Sequence, residues 1–376
     1  MRPVSADIDL SAIEGNVAIL ADLVAPAQVC AVVKADGYGH GAVATARAAL
    51  AGGAHLLGVA LVAEGAELRA AGLDAPVLVL SQASVDELDD LVAHRLEATA
   101  YTPAGVADLA AAANRAGRGP HDPVPVHLKV DTGMRRVGVQ PEDAVDLARA
   151  IVDHAGLHLA SVFTHFAVAD EPHDPFTAEQ VRRYEAVLAD LDAEGIAVPC
   201  RHAANSAGAL AHPHARFDLV RVGIVVYGLA PSAEVPAPAG LRPALALRAR
   251  VSHVKRVPAG EGVSYGLRYR TERETTIATV PLGYADGVPR RLSAAGGEVL
   301  VGGERRPIAG TITMDQFLVD CGDRPVAVGD EVVLIGRQGD ACIGADEWAD
   351  RLGTISYEII CGISPRVPRR HREDAP

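Results

Sequence analysis

The run Val29-Cys30-Ala31-Val32-Val33-Lys34 carries five apolar residues into a lysine. The glycine-rich ADGYGHG (35–41) follows at once, then the alanine-rich AVATARAAL (42–50), closed by Gly52 and Gly53. A short continuous apolar run reads as a strand buried on both faces, and the stretch behind it as a helix with a glycine stop. The same unit recurs along the chain. Apolar runs fall at 29–34, 56–62, 76–80, 96–101, 124–130, 158–164, 199–203 and 218–222. Between them stand AEGAELRAAG (63–72), SVDELDDLVAH (84–94), TPAGVADLAAAANRAG (102–117), PEDAVDLARAIVDHAG (141–156) and FTAEQVRRYEAVLADLDAEG (176–195), each helical in pattern. Eight strands alternating with helices over roughly 200 residues predict an α/β chain of (β/α)8 TIM-like barrel type. An open doubly wound sheet is the competing arrangement, but no G-x-G-x-x-G follows the first strand.

After PSAEVPAPAGLRP (231–243) the texture changes. LALRARVSHVKRV (245–257), TTIATVPLGY (275–284), EVLVGGERRPIAG (298–310), FLVDCG (317–322) and EVVLIG (331–336) alternate or are β-branched, with glycine-rich turns between them. The expected division is a barrel over 1–235 and a C-terminal mostly-β domain over 236–376, with the first ten or so residues able to pair with the β domain. One helical piece, ADEWADRLG (345–353), precedes SYEIICGISPRV (356–367), and residues 366–374 read as a solvated, frayed end.

Composition removes several classes. With 49% apolar residues and a formal net charge of −13, the 376-residue chain is globular, and its charge argues against a nucleic-acid partner. The longest apolar run, Val222 to Ala230, falls well short of the roughly 18 residues that span a bilayer, so no membrane association is expected. The opening MRPVSAD turns acidic without the apolar core of a signal peptide, which makes a cytoplasmic location the expectation. Cys30, Cys200, Cys321, Cys342 and Cys361 form no C-x-x-C pair; they suggest neither a disulfide framework nor a zinc site and read as core thiols.

Only Lys34, Lys129 and Lys255 are lysines, every other basic residue being arginine. An amine can lose its proton and condense with a carbonyl, whereas guanidinium cannot. Lys255 lies in the alternating VSHVKRV and reads as the outer face of a strand. Lys34 and Lys129 end apolar runs, where a charge is unexpected. In a parallel barrel, functional groups gather at the rim where strands end. Those positions hold Lys34, Lys129 with Asp131, Thr164 with His165, Asn205 with Ser206, and Arg221 with Gly223. The rim lacks the facing carboxylate pair of a glycosidase and the ligands of a metal-dependent hydrolase. Taken alone, Lys34 reads equally as a carbonyl-binding amine and as a lysine snorkelling from the barrel end.

The segments AVVKADGYGHG, VDTGMRRVG, THFAVADEP, HAANSAGAL, DLVRVGIVVYG, GVSYG, VPLGYADG, TITMDQ and ISYEI, in this order and spacing, resemble bacterial alanine racemase, a pyridoxal 5'-phosphate enzyme, over nearly the whole chain. The resemblance implies that Lys34 is the Schiff-base lysine and that Tyr38, Asn205, Ser206, Gly223, Ile224 and Tyr357 lie around the cofactor phosphate. Asn205 and Ser206 open a short helical segment whose N–H groups suit an anion. Arg221 matches the partner of the pyridine nitrogen and His165 a residue that hydrogen-bonds it. Arginine donates without handing over its proton, which favours brief carbanion character at carbon over transamination. The resemblance further implies two bases, Lys34 and Tyr265, on opposite faces of the substrate α-carbon. Arg136 and the Met314 amide match the carboxylate holders. Arg135 stands where the family more often has glycine. Lys129 matches a lysine carbamylated in several members; buried beside an arginine its amine would stay unprotonated and open to carbon dioxide, a pair with Asp131 being the simpler alternative. Tyr265, Tyr284, Met314 and Asp315 would come from the partner subunit of a homodimer. The implied activity is interconversion of L- and D-alanine, supplying peptidoglycan.

Three other readings stand beside it. A decarboxylase of the same architecture would carry an acid at the ring nitrogen and a reactive cysteine in the β domain, unlike Arg221 and GVSYG. A non-catalytic carrier of the cofactor would leave residues 240–376 without a purpose. A racemase of broader specificity is disfavoured by the bulk of Tyr357 and Tyr284.

Overall fold

Each of the eight apolar runs forms a parallel strand. The computed structural model describes residues 2–373. After a first strand β1 (Val4–Asp9) come β2 (Gln28–Val32), β3 (Leu56–Val59), β4 (Val77–Val79), β5 (Ala98–Ala100), β6 (Val124–Lys129), β7 (Leu157–Phe163), β8 (Arg201–His202) and β9 (Leu219–Val222). They pair in the orders β4-β3-β2-β9 and β5-β6-β7-β8, all parallel. Two seams join these halves. At one, Leu78 bridges Glu97, the Val79 amide donates to the Glu97 carbonyl and the Glu97 amide to that of Val77. At the other, the Asp218 amide donates to the Arg201 carbonyl and the Arg221 amide to that of Ala204. Eight parallel strands so joined are the closed (β/α)8 barrel.

The barrel halves differ in chemistry. Cys30, Leu56, Leu78 and Leu219 form a buried apolar cluster from the β4-β3-β2-β9 half. The other half buries His127, Ser161 and His202. Outside, helices lie against the strands by amphipathic spacing: Ala144–Val152 buries Ala144, Leu147, Ala148 and Ile151, one face of a 3.6-residue period. A helix that the alternation did not single out, Leu10–Val24, precedes the first barrel strand and buries Asn16 among its apolar residues. The Asn16 amide nitrogen donates to the carbonyls of Val226 and Arg242, and its oxygen accepts from the Arg242 amide. This side chain ties the last segment of the unit to its first helix.

The barrel unit comprises Ala12–Gly37 and Ala42–Arg242; the second unit gathers the residues up to Ser11, the four residues Tyr38–Gly41 and the chain from Pro243 onward. The junction lies at Arg242/Pro243, beyond the 235/236 division read from composition. The second unit contains β10 (Leu245–Arg250), β11 (His253–Val257), β12 (Gly262–Val263), β13 (Tyr269–Arg270), β14 (Thr275–Val280), β15 (Glu298–Val301), β16 (Glu304–Pro307), β17 (Phe317–Gly322), β18 (Glu331–Gln338), β19 (Ala341–Ile343) and β20 (Arg369–Arg372). The largest sheet runs β16-β15-β18-β10-β1-β20, with β19 on β18; β11-β14-β17 form a second and β12-β13 a hairpin. β1 pairs antiparallel with β10 and parallel with β20.

Two expectations are corrected. Residues 366–372 are not a frayed end, because a strand partner and side-chain bonds hold them. Arg369 donates to the carbonyls of Gly39, Ile363, Ser364 and Val367, and His371 Nε2 bonds the His40 carbonyl at 2.8 Å; residue 374 lies outside the described residues. Cys342 and Cys361 are exposed rather than core thiols. No described helix is long and apolar enough to cross a membrane.

Asn16→Leu should strand the buried Val226 carbonyl and break two part-buried bonds to the Arg242 backbone. A loss of about 1–3 kcal/mol in unfolding free energy is expected, read from the denaturant midpoint.

Candidate functional site

Arg221, near the end of β9, is a buried cation held without any carboxylate among the described residues. Its Nη1 donates to His202 Nδ1 at 2.7 Å. Its Nη2 donates to the carbonyls of Thr164 (2.7 Å) and Ala203 (3.0 Å) and lies 3.2 Å from His165 Nδ1. The guanidinium sits over the Phe163 ring, whose other near neighbours are His202, stacked at 4.7 Å, and Lys129 Nζ, 5.3 Å from the centroid. Nη2 is fully engaged, while Nε–H and one N–H of Nη1 have no partner among the described residues. Burial lowers the Arg221 pKa to about 10. Burial and the Arg221 charge hold His165 and His202 well below the usual histidine range, so both imidazoles are neutral and each can lend Arg221 a lone pair.

Lys129 ends β6 on the same rim. Burial drops its pKa to about 7, with Arg221, Arg136 and Lys34 pushing the same way and Asp131 opposing. Its amine donates to the Leu80 carbonyl at 3.3 Å. Asp131 is not its ion-pair partner; that carboxylate accepts from the Gly133 and Arg135 amides instead. Arg135 adopts φ +57°, the left-handed backbone a glycine takes freely, and its guanidinium turns to Gln140. Arg136, next to it, is exposed, and its charge reaches both Lys129 and His165.

Ser206 opens the helix Ser206–Ala211, whose N-cap Asn205 accepts from the Gly208 amide. The Ser206 hydroxyl accepts from the Gly223 amide at 2.9 Å, which draws the start of that helix to the turn Ile224–Tyr227 that follows Gly223. Two N-terminal turns and a hydroxyl thus converge with no acid among them, a donor set suited to a phosphate.

Lys34 follows β2, the neighbour of β9. It opens a tight turn in which Ala35, Asp36, Gly37, Tyr38 and Gly39 all have positive φ. Each non-glycine residue there costs about 1–2 kcal/mol, so the turn needs support. Glu64 supplies it by accepting the Ala35 amide on one oxygen and those of Ala60 and Leu61 on the other, while Asp36 accepts from Ala42. Tyr38, in the β unit, is buried, with its phenol pushed up by burial and by Tyr357, whose ring centroid lies 6.1 Å away.

The remaining residues singled out from the sequence lie in the β unit. Tyr265 is 74% exposed between Ser264 and Gly266, both left-handed. Thr311 Oγ1 donates to the Tyr265 carbonyl, and the Tyr284 and Ala285 amides donate to the carbonyls of Thr313 and Met314. Tyr265, Tyr284 and Met314 are therefore displayed on adjoining loops. Buried Asp286 fixes that display: it takes both terminal nitrogens of Arg2 and the Gly283 amide, and Arg366 links it to Asp315. Sequence reasoning passed over His202, Ser161, His127, Asp286 and Glu64. The two-residue spacing of His127 from Lys129 and of Ser161 from Phe163, which puts each pair on one strand face, was the available signal.

A cationic, acid-poor barrel rim with a separate β unit displaying tyrosines defines a two-domain barrel protein whose rim is chemically suited to an anion. Two family descriptions match it: "Alanine racemase, N-terminal domain" over residues 8–231 and "Alanine racemase, C-terminal domain" over 244–371. An alanine racemase of Symbiobacterium thermophilum is 49% identical over 370 residues, covering 98% of this chain and 97% of that protein. One from Thermobifida fusca is 49% identical over 97% and 96%. The crystal structure of alanine racemase from D-cycloserine-producing Streptomyces lavendulae superposes with a TM-score of 0.93 at 41% identity, covering 100% of this chain and 98% of that one. The chain belongs to the alanine racemase family.

Two outcomes follow. In the unfolded chain the Lys129 amine stays protonated up to about 10.4, whereas the folded chain releases the proton near 7; between these values the unfolded state holds more protons, so stability rises with pH, by up to about 1.4 kcal/mol per pH unit. Lys129→Met should remove that rise in the cofactor-free protein, so that from pH 7 to 9.5 the urea midpoint of the parent climbs relative to that of the variant. Gly39→Ala, with φ +79° and a new Cβ 2.7 Å from the Ile360 carbonyl, should cost more than the roughly 1–2 kcal/mol of left-handed strain alone. Gly15→Ala, helical and facing open space, should instead gain about 0.5–1 kcal/mol in the same assay.

Proposed function

We propose that this chain interconverts L- and D-alanine with pyridoxal 5'-phosphate as cofactor, feeding cell-wall peptidoglycan from the cytoplasm. The observation that carries the reading is Arg221: a permanent donor whose terminal nitrogens are held by neutral acceptors and whose Nε–H is uncommitted, on a rim that also offers a lysine of lowered pKa and converging N–H groups. These residues fit the cofactor. Ser206, Gly223, Ile224 and Asn205 would hold its phosphate together with Tyr38 and Tyr357, Lys34 would bond it covalently, and Arg221, steadied by His165, would face its ring nitrogen. When bound, the cofactor draws electrons from the substrate α-carbon and makes the α-hydrogen acidic.

The rest is done by the protein. Arg136, with the Met314 amide, binds the substrate carboxylate. Lys34 removes or returns a proton at the α-carbon on one face, and Tyr265 does so on the other. Arg221 donates a hydrogen bond without surrendering its proton, so the ring nitrogen would stay unprotonated, less charge would leave the α-carbon, and a proton would be returned there quickly. Lys129, an amine able to add carbon dioxide at its lowered pKa, would as a carbamate orient Arg136. The exposure of Tyr265 and Tyr284, and of Met314 and Asp315 on the same loops, supports a homodimer in which each copy completes its partner's site. The related alanine racemase from Bacillus anthracis, with a TM-score of 0.92 and 38% identity, holds L-Ala-P in its crystal structure.

Purified chain loaded with pyridoxal 5'-phosphate should be yellow, and Lys34→Ala should lose the covalently held colour. In D2O, L-alanine should lose optical rotation while taking up α-deuterium. Release of carbon dioxide without inversion would overturn the reading. Tyr265→Phe should slow α-hydrogen exchange of one enantiomer more than the other.

A further inference from the structure

The polar half of the barrel holds an unbroken line of hydrogen bonds that starts at Arg221 and ends at the opposite mouth. His202 Nδ1 takes the Arg221 Nη1 proton, and His202 Nε2 lies 2.7 Å from Ser161 Oγ. Ser161 Oγ lies 2.6 Å from His127 Nδ1, and His127 Nε2 lies 2.8 Å from Glu97 Oε2. Arg221, His202, Ser161 and His127 are all buried. Glu97, just before β5, lines a cavity of about 480 Å³ with Arg69, Arg95 and Arg118 at the end of the barrel away from the rim.

Chemistry fixes the direction of every bond in this line. Guanidinium only donates, so His202 Nδ1 must carry a lone pair and the neutral ring must hold its proton on Nε2. Ser161 accepts that proton and has one of its own, which His127 Nδ1 accepts; His127 Nε2–H then donates to the Glu97 carboxylate. Reversing any one bond leaves a buried hydrogen without an acceptor or sets two hydrogens against each other. The low proton affinity imposed on His202 by burial and by Arg221 agrees with a neutral ring; the bond from Arg221 selects the tautomer.

We propose that Glu97, His127 and Ser161 are positioning residues for Arg221: relayed through His202, they fix one tautomer and hold the guanidinium so that Nε–H faces the ligand, with the Glu97 carboxylate as its distant counter-charge. The role toward the ligand rests on the reading of function above; the tautomer relay does not. Breaking the line at Ser161 removes two neutral hydrogen bonds, neither of which touches the substrate, so a loss of up to about tenfold in kcat is expected with KM for alanine little changed.

The test uses the full chain labelled with 15N-histidine, with and without pyridoxal 5'-phosphate, as parent, Ser161→Ala, Ser161→Thr, Glu97→Gln and Glu97→Leu. In the parent, His202 and His127 should each show one fixed Nε2–H tautomer in both states, and adding pyridoxal 5'-phosphate should move the His202 nitrogen shifts. Ser161→Ala should give exchanging tautomers at His202 and the kcat loss, and Ser161→Thr, which keeps a hydroxyl, should restore both. Glu97→Gln, which keeps an acceptor, should retain the tautomers, while Glu97→Leu should release that of His127. Unchanged His202 signals in Ser161→Ala, or identical behaviour of the two Glu97 variants, would overturn the relay. Fixed tautomers with no response of His202 to pyridoxal 5'-phosphate would leave the relay standing and overturn its role toward the ligand, together with the reading of Arg221.

Discussion

A guanidinium buried without a carboxylate is the constraint around which the barrel is arranged. An uncompensated interior charge costs several kcal/mol, and a nearby acid would be the simple remedy. Here the compensation is made of lone pairs and an aromatic face: His202, His165, two carbonyls and Phe163. That choice leaves the rim positive, which adds to burial in lowering the Lys129 pKa and favours an anionic ligand. It also explains why one half of the barrel interior is polar while the other packs Cys30, Leu56, Leu78 and Leu219.

A second constraint is stored in the backbone. The left-handed turn from Ala35 to Gly39 is unfavourable in isolation and persists because Glu64 and Asp36 bind its amides. Within the β unit, Arg369 and His371 grip the carbonyls of Gly39 and His40, so a strand at the far end of the chain holds the segment that carries Tyr38. Strain of this kind survives only where surrounding structure over-determines it. The residue doing so at one end of the turn, Glu64, sits in a helix with no chemistry of its own to advertise it.

The β unit applies the same logic to exposed groups. Tyr265, Tyr284 and Met314 stand in water on a single copy, an unfavourable display for large side chains, and the loops bearing them are pinned by the buried Asp286 and by Thr311. Rigid loops presenting apolar and phenolic groups are what a second copy of the chain would require of a shared site.

The alternation of apolar runs with helical stretches was enough to give the eight barrel strands, since a parallel strand buried on both faces is mostly apolar and its return helix is amphipathic. The scarcity of lysine marked Lys34 and Lys129, because a reactive amine is chemically distinctive; Arg221, one of many arginines, was marked by its place at a strand end and by the ordered motifs. Tertiary structure alone decided the rest. The pairing of β1 with β20, the support from Glu64, the Arg2–Asp286 clamp and the line from Arg221 to Glu97 join residues tens to hundreds of positions apart. Local pattern records which face of an element is buried; it does not record which neighbour supplies the lone pair or proton that makes burial tolerable, because that is settled only when the strands close.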